Sequence, residues 1–229
     1  MRQRLLAESL GTFSLVFAGT GAIVINDLSG GAVSHVGVSL TFGLVVMAMI
    51  YALGDVSGAH LNPAVSIGFL MARRIRAVEA LQYIVSQCIG ALLASSFLRI
   101  MFPSHPTLGA TLPSGTIGQS FILEVLLTLV LMFVILSVST GSKERGIMAG
   151  AAVGAVVGLE ALFAGPISGA SMNPARSLAP SVVSGHVEPL WIYLVAPVVG
   201  AVAAVPLCRS IHRSGCCESL SEERSVGAV

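Results

Sequence analysis

The chain has 229 residues, of which 55% are hydrophobic and only 10% charged, against about 25% charged in an ordinary soluble domain. With a mean hydropathy of +0.90, this composition excludes a soluble globular fold and points to a polytopic membrane protein. A net charge of +1 leaves no bulk electrostatic attraction for nucleic acid.

The N-terminal stretch MRQRLLAESLGTFSLVFAGTG starts basic, but its apolar run is too long for a signal peptide, carries Glu8 and lacks a clear cleavage site. It is predicted to be a retained first span. Six apolar segments then run in order at 5–26, 33–54, 79–101, 117–139, 146–165 and 189–208, each near the ~20 residues needed to cross the hydrocarbon. Two shorter apolar stretches, 63–71 and 174–184, would each reach about 15 Å, roughly half the bilayer core. Both open with Pro directly after Asn, in Asn62-Pro63-Ala64 and Asn173-Pro174-Ala175. Pro costs nothing at the first helical position, where its missing N–H has no partner to lose, and Asn is a natural N-cap. The prediction is an all-α membrane protein with six transmembrane helices and two re-entrant half-helices. The loop 103–116 joins the two halves. Cys88, Cys208, Cys216 and Cys217 show neither zinc spacing nor a disulfide framework, so no metal or cofactor is expected. The polar tail 211–229 reads as disordered and cytoplasmic; a soft-metal role for Cys216-Cys217 beside His212 is the weaker reading.

The chain repeats itself. SGAHLNPAVS (57–66) and SGASMNPARS (168–177) differ at three of ten positions, and Asn62 and Asn173 lie 111 residues apart. Gly43 and Gly154 share that offset. YIVSQCIGALLA (83–94) echoes YLVAPVVGAVAA (193–204) at offset 110, and AESLGT (7–12) echoes LEVLLT (123–128) at offset 116, setting Glu8 against Glu124. Each half reads as span, span, half-helix, span. Three crossings is odd, so the second copy enters from the opposite face. The expectation is one channel domain, 1–210, built from inverted repeats 1–102 and 117–210, with the broken elements meeting at the midplane. Arg2, Arg4, Arg73, Arg74, Arg76, Lys143, Arg145, Arg209, Arg213 and Arg224 all fall on one side if both termini are cytoplasmic, leaving Arg99 near the other face and Arg176 in the second half-helix. That bias predicts a multi-pass protein of the cell membrane with cytoplasmic termini.

Paired Asn-Pro-Ala motifs, Arg176 directly after the second, and Glu8 and Glu124 in the first span of each half resemble the aquaporin family of membrane channels, the major intrinsic proteins. The resemblance covers essentially residues 1–210. VFAGTGAIVIN (16–26) and AGPISGASMNPARSLAP (164–180) are most similar to the nodulin-26-like subgroup, and the short termini suggest a bacterial form. The resemblance implies a homotetramer in the lipid bilayer with one pore per subunit, and a bracing role for Glu8 and Glu124 toward loop N–H groups.

The residues support a channel on physical grounds too. Two half-helices meeting by their N-termini aim positive dipole ends at the pore centre. Asn62 and Asn173 amides can donate to a passing oxygen, and unwound backbone at Gly58, Ala59, His60, Gly169, Ala170 and Ser171 can offer carbonyl acceptors. Such backbone is tolerated at membrane depth only where it lines a cavity or is buried in protein. A cation meets both helix ends and Arg176, so uncharged solutes are favoured. Plainer readings stand beside these: Asn62 and Asn173 as caps only, Arg176 snorkelling to headgroups, Glu8 paired with Arg4, and the His60 ring packed between elements. His35, His105, His186 and His212 read as solvated.

In the family, four positions build a constriction beside the Asn-Pro-Ala region; carried over by spacing, these are Phe42, Ala161, Ala170 and Arg176. Water-selective members usually have His where Ala161 stands. Glycerol facilitators favour two aromatics and an Asp where this chain has Ser177, and Tyr193-Leu194 replaces the Phe-Trp common in water channels. Two alanines imply a wider neck, suited to water, glycerol or urea, and metalloid hydroxides such as arsenite or boric acid. A strictly water-selective channel and a non-conducting structural protein are the alternatives. Glu160, immediately before Ala161, would be costly in the membrane unless hydrated or protonated; it is placed facing the vestibule or a neighbouring helix, with a charge-sensing role at the mouth as the other option. No enzyme is expected, since no nucleophile–base set, metal cluster or phosphate-binding loop stands in a plausible context. An ion channel is disfavoured by Arg176 and the paired positive helix ends, and a secondary transporter by the lack of a coupling carboxylate pair beyond Glu8 and Glu124.

Overall fold

A computed structural model describes residues 1–139 and 143–212, the side chains of 143–146 excepted. Eight helices follow in order: α1 (Arg2–Leu28), α2 (Ser34–Ser57), α3 (Pro63–Met71), α4 (Ala77–Met101), α5 (Ile117–Val138), α6 (Lys143–Ser168), α7 (Pro174–Ser184) and α8 (Leu190–Ile211). Six are long and apolar enough to cross a membrane, and α3 and α7 occupy the predicted half-helix ranges. Among the described residues there is no strand. The helix α8 runs through Ile211, so the boundary predicted at 210 falls inside its last turn; 213–229, with Cys216 and Cys217, lies outside the described residues.

The short helices start where the sequence dictates. Asn62 is extended (φ −156°, ψ 121°) and its side-chain oxygen accepts from the Ala64 N–H at 2.9 Å. Asn173 (φ −145°, ψ 107°) accepts from the Ala175 and Arg176 N–H groups at 3.0 and 3.3 Å. Each cap satisfies donors that a helix start leaves orphaned.

Packing follows the repeat. The helix α1 lies against α2 and α4 as α5 lies against α6 and α8, and α2 meets its counterpart α6. The two short helices cross over: α3 packs on α8 and α7 on α4, so each half's broken element is held by the other half. Glycines allow the approach. A Cβ on Gly43 would sit 2.6 Å from the Gly154 carbonyl oxygen, and one on Gly154 2.6 Å from that of Gly43. Gly90 meets the Ser9 backbone between α1 and α4, and Gly200 meets the Val125 backbone between α5 and α8. These are the small-residue contacts by which helices associate in lipid. Because a methyl on Gly200 would lie 2.3 Å from the Val125 oxygen, with rigid helix on both sides, Gly200→Ala is expected to destabilise by at least the ~1–3 kcal/mol of ordinary overpacking. A lowered midpoint for thermal loss of monodispersity in detergent checks this.

Polar and charged side chains are gathered inside, while many large apolar ones face outward. Glu8, Gln87, Glu124, Asn62, Asn173 and Arg176 are buried, whereas Leu6, Leu40, Leu44, Phe97, Ile100 and Trp191 are exposed. That is the arrangement expected where lipid is the solvent and polar groups must be satisfied internally.

Candidate functional site

Two carboxylates organise the site. Glu8 Oε1 accepts from the Ser57 hydroxyl at 2.6 Å and the His60 N–H at 2.9 Å, and Oε2 from the Leu61 N–H at 2.7 Å. Glu124 Oε1 accepts from the Ser168 hydroxyl at 2.7 Å and the Ser171 N–H at 2.8 Å, and Oε2 from the Met172 N–H at 2.8 Å. The two serines also accept from the N–H groups of Ala59 and Ala170 at 3.1 and 3.2 Å. Their carbonyls accept from Tyr83 at 2.8 Å and Tyr193 at 2.6 Å. Arg4, the alternative partner for Glu8, pairs with Glu79 at 2.7 Å instead.

Both loops share a backbone form that costs energy. Gly58 and Gly169 have φ +85°, while Ala59, Leu61, Ala170 and Met172 sit at φ +46°, +52°, +41° and +53°. Non-glycine residues in this region cost on the order of 1–3 kcal/mol each and persist only where the surroundings hold them. Glu8 and Glu124 supply that hold. With the N–H groups drawn to the carboxylates, the carbonyls are left for other partners. Among the described residues, no hydrogen bond outside the helices ends on the carbonyl oxygens of Gly58, Ala59, His60, Gly169, Ala170 or Ser171.

The half-helices meet by their starts. Asn62 Nδ2 donates to the Met172 carbonyl at 2.8 Å, and Asn173 Nδ2 donates to the Leu61 carbonyl at 2.9 Å. Each amide nitrogen carries two N–H bonds, so one remains after this cross-link. Both asparagines line a cavity of about 110 Å³ that runs from Phe42 and Arg176 to Val138, Ser139 and Ala149. A second cavity of about 350 Å³ opens on the other side and includes Asn26, His35 and Pro166. Phe42, Ala161 and Arg176 line both. Of the four residues expected at a constriction, these three are therefore shared by the two spaces, and Ala170 lines the first cavity only.

Arg176 is 2% exposed and does not snorkel. Its Nη1 donates to the Gly109 carbonyl at 2.8 Å, its guanidinium carbon lies 4.9 Å from the Phe42 ring centre, and its Nε has no partner among the described residues. Gly109 belongs to the loop between the halves, which is anchored at several points. Thr111 donates to the Ser177 hydroxyl at 2.8 Å, and Ser177 shares a 2.5 Å bond with Ser171. His105, expected in solvent, is 4% exposed: Nδ1 accepts from the Leu108 N–H at 3.0 Å and Nε2 lies 3.4 Å from Asp27. The other histidines also have partners. Pro166 inside α6 cannot donate to the Leu162 carbonyl, and His35 Nε2 donates to it at 2.6 Å. His186 meets the Ser184 hydroxyl, and His212 meets that of Ser137. The His60 ring is stacked on Phe69 and edge-on to Tyr83, with Nδ1 3.1 Å from the Ser66 hydroxyl. Glu160 is 3% exposed, and its Oε2 has no partner among the described residues. It is among the lining residues of neither cavity.

The family model described as "Major intrinsic protein" matches residues 1–207. The chain belongs to the major intrinsic protein family. It is accordingly a membrane channel for water and small uncharged solutes, not an enzyme. It is 48% identical over 202 residues to Aquaporin NIP1-1 of Oryza sativa subsp. japonica, covering 88% of this chain and 71% of that one. It is 44% identical over 202 residues to Nodulin-26 of Glycine max, covering 88% and 74%. Among solved structures, the aquaglyceroporin from Plasmodium falciparum matches with a TM-score of 0.83 and 26% identity, covering 93% of this chain and 97% of that chain.

Several residues at the site carry no family motif. Ser57 and Ser168 open the two repeated decapeptides, so the repeat itself could have exposed them. Gly109, Thr111 and His105 occur in a loop present once, without a period or a copy to betray them.

Proposed function

We propose that the channel passes solutes larger than water: glycerol, urea, and neutral metalloid hydroxides such as arsenite and boric acid. The observation that carries this reading is the neck, where one aromatic, Phe42, and Arg176 face the alanines Ala161 and Ala170. Methyl groups at two of four positions leave width that a histidine would fill. Arg176 and the spare N–H bonds of Asn62 and Asn173 donate to hydroxyl or carbonyl oxygens, while the unclaimed carbonyls of Gly58, Ala59, His60, Gly169, Ala170 and Ser171 accept. A solute such as glycerol, with both donors and acceptors, exchanges water for these contacts along the cavity.

The functional unit is residues 1–210, working as a homotetramer with one pore per chain in the cell membrane. Both termini are cytoplasmic. Support for the orientation comes from ends that share one side: the start of α1 reaches the start of α4 through Arg4–Glu79, the end of α3 reaches α5 through Arg74–Ser139, and α5 reaches α8 through Ser137–His212. Arg2, Arg73, Arg76 and Arg209 belong to the same ends, as the positive-inside rule requires. Lys143, Arg145, Arg213 and Arg224 lie outside the residues whose side chains are described.

Proteoliposomes shocked with an impermeant osmolyte and, in parallel, with glycerol give the test by stopped-flow light scattering. Fast shrinkage followed by fast glycerol re-swelling is expected. Fast shrinkage with re-swelling no quicker than in empty liposomes would make this a water channel and overturn the wide-neck reading.

A further inference from the structure

We propose that Gly19, on α1, sets the width of the neck by giving the Phe42 ring a notch to retreat into, and so acts as a specificity-determining positioning residue. Gly19 is buried and lines neither cavity. A Cβ built on it would lie 2.1 Å from Phe42 Cε1 and 2.5 Å from both Cδ1 and Cζ. One edge of the ring thus fills the space a side chain at position 19 would occupy. Carbon atoms pack at roughly 3.5–4.0 Å, so even an alanine would move that edge by about 1.4 Å. The ring lines both cavities on its other side, with the Arg176 guanidinium 4.9 Å from its centre. Displacement away from α1 therefore goes into the lumen, toward Arg176 and the two alanines. The open neck is the product of three small residues, Gly19, Ala161 and Ala170, although Gly19 touches no solute. Neither the Asn-Pro-Ala repeat nor the spacing that locates Phe42 points to Gly19.

This inference rests on the reading of Phe42 as a wall of the neck, and the test separates the two. Water and glycerol permeabilities are measured in proteoliposomes for the wild type, Gly19→Ala, Phe42→Ala and the double variant. Gly19→Ala is expected to lower glycerol permeability by about tenfold, the equivalent of a modest overpacking penalty placed on the permeation barrier, and water much less. Phe42→Ala is expected to raise the glycerol-to-water ratio, and the double variant to recover it, because the added methyl then meets no ring. If Phe42→Ala leaves the ratio unchanged, the neck reading itself fails. If Phe42→Ala changes the ratio but Gly19→Ala does not, or if the double variant stays as poor in glycerol as Gly19→Ala, the neck stands and the role of Gly19 is overturned. Should Gly19→Ala fail to fold, a double variant that folds and conducts supports the notch. One that also fails to fold places Gly19 in helix packing alone and overturns it.

Discussion

Glu124→Ala is expected to abolish flux and to leave little protein that survives extraction as a monodisperse species. The substitution removes the acceptor of three buried donors at once: the Ser171 and Met172 N–H groups and the Ser168 hydroxyl. Each buried donor left unpaired costs about 1–3 kcal/mol. The same bonds hold Ala170 and Met172 at φ +41° and +53°, conformations that cost on the order of 1–3 kcal/mol apiece and revert once released. The three unpaired donors alone cost about 3–9 kcal/mol, comparable to the ~5–15 kcal/mol by which a whole domain is stable, and the relaxed loop no longer holds the pore geometry. The consequence does not stop at the loop, because the Met172 carbonyl receives Asn62 Nδ2, so the first half-helix loses its tie as well. Glu124→Gln keeps one oxygen but turns an amide N–H toward a backbone N–H, and is expected to fold with a lower thermal midpoint and reduced water flux. Size-exclusion elution, thermal scans and light scattering measure all three properties. A Glu124→Ala protein with wild-type midpoint and flux would remove the carboxylate from the account.

The two halves show how far a sequence can be read here. Local rules were enough for the half-helices, because Asn capping and Pro at the first helical position act within three residues. Internal repetition was enough to single out the paired carboxylates, since a glutamate at the same place in two first spans has few reasons to be there twice, while their bracing role was implied by the family resemblance. What the sequence hid are contacts without a period or a copy. Gln87 donates to Glu8 Oε2 at 2.7 Å, whereas its repeat counterpart is Pro197, which has no donor to offer. The first carboxylate is therefore held by one partner more than the second. The His35 bond to Leu162 depends on a carbonyl that Pro166 leaves free on another helix. Gly109 reaches Arg176 from 67 residues away, through a loop that the inverted repeat does not contain. Glu160 is legible as an anomaly, but its burial with an unpartnered carboxylate oxygen shows only in the folded chain.

Arg176→Ala is expected to convert the channel from one closed to cations into one that leaks them, while water and glycerol continue to pass. Arg176 puts a full positive charge where the two cavities share their lining, fixed by the Gly109 carbonyl on one side and the Phe42 ring on another. At 4 Å and an effective dielectric near 20, like charges repel by about 4 kcal/mol, equivalent to a factor on the order of 100–1,000 in rate. The positive ends of α3 and α7 remain after the substitution, and each contributes only about half a charge, so the leak is expected to be partial and nearer the lower figure. Arg176→Lys separates charge from shape. Lysine keeps the charge but lacks the planar fork that stacks on an aromatic ring and bonds a carbonyl in a fixed direction, so it should retain cation exclusion and alter the glycerol-to-water ratio. Liposomes loaded with a pH-sensitive dye report proton leak, and potassium efflux reports the larger cation. If Arg176→Ala stays as tight to both as the wild type, the barrier lies at the paired half-helix starts beside Asn62 and Asn173. The arginine would then act on the size of what passes and not on its charge.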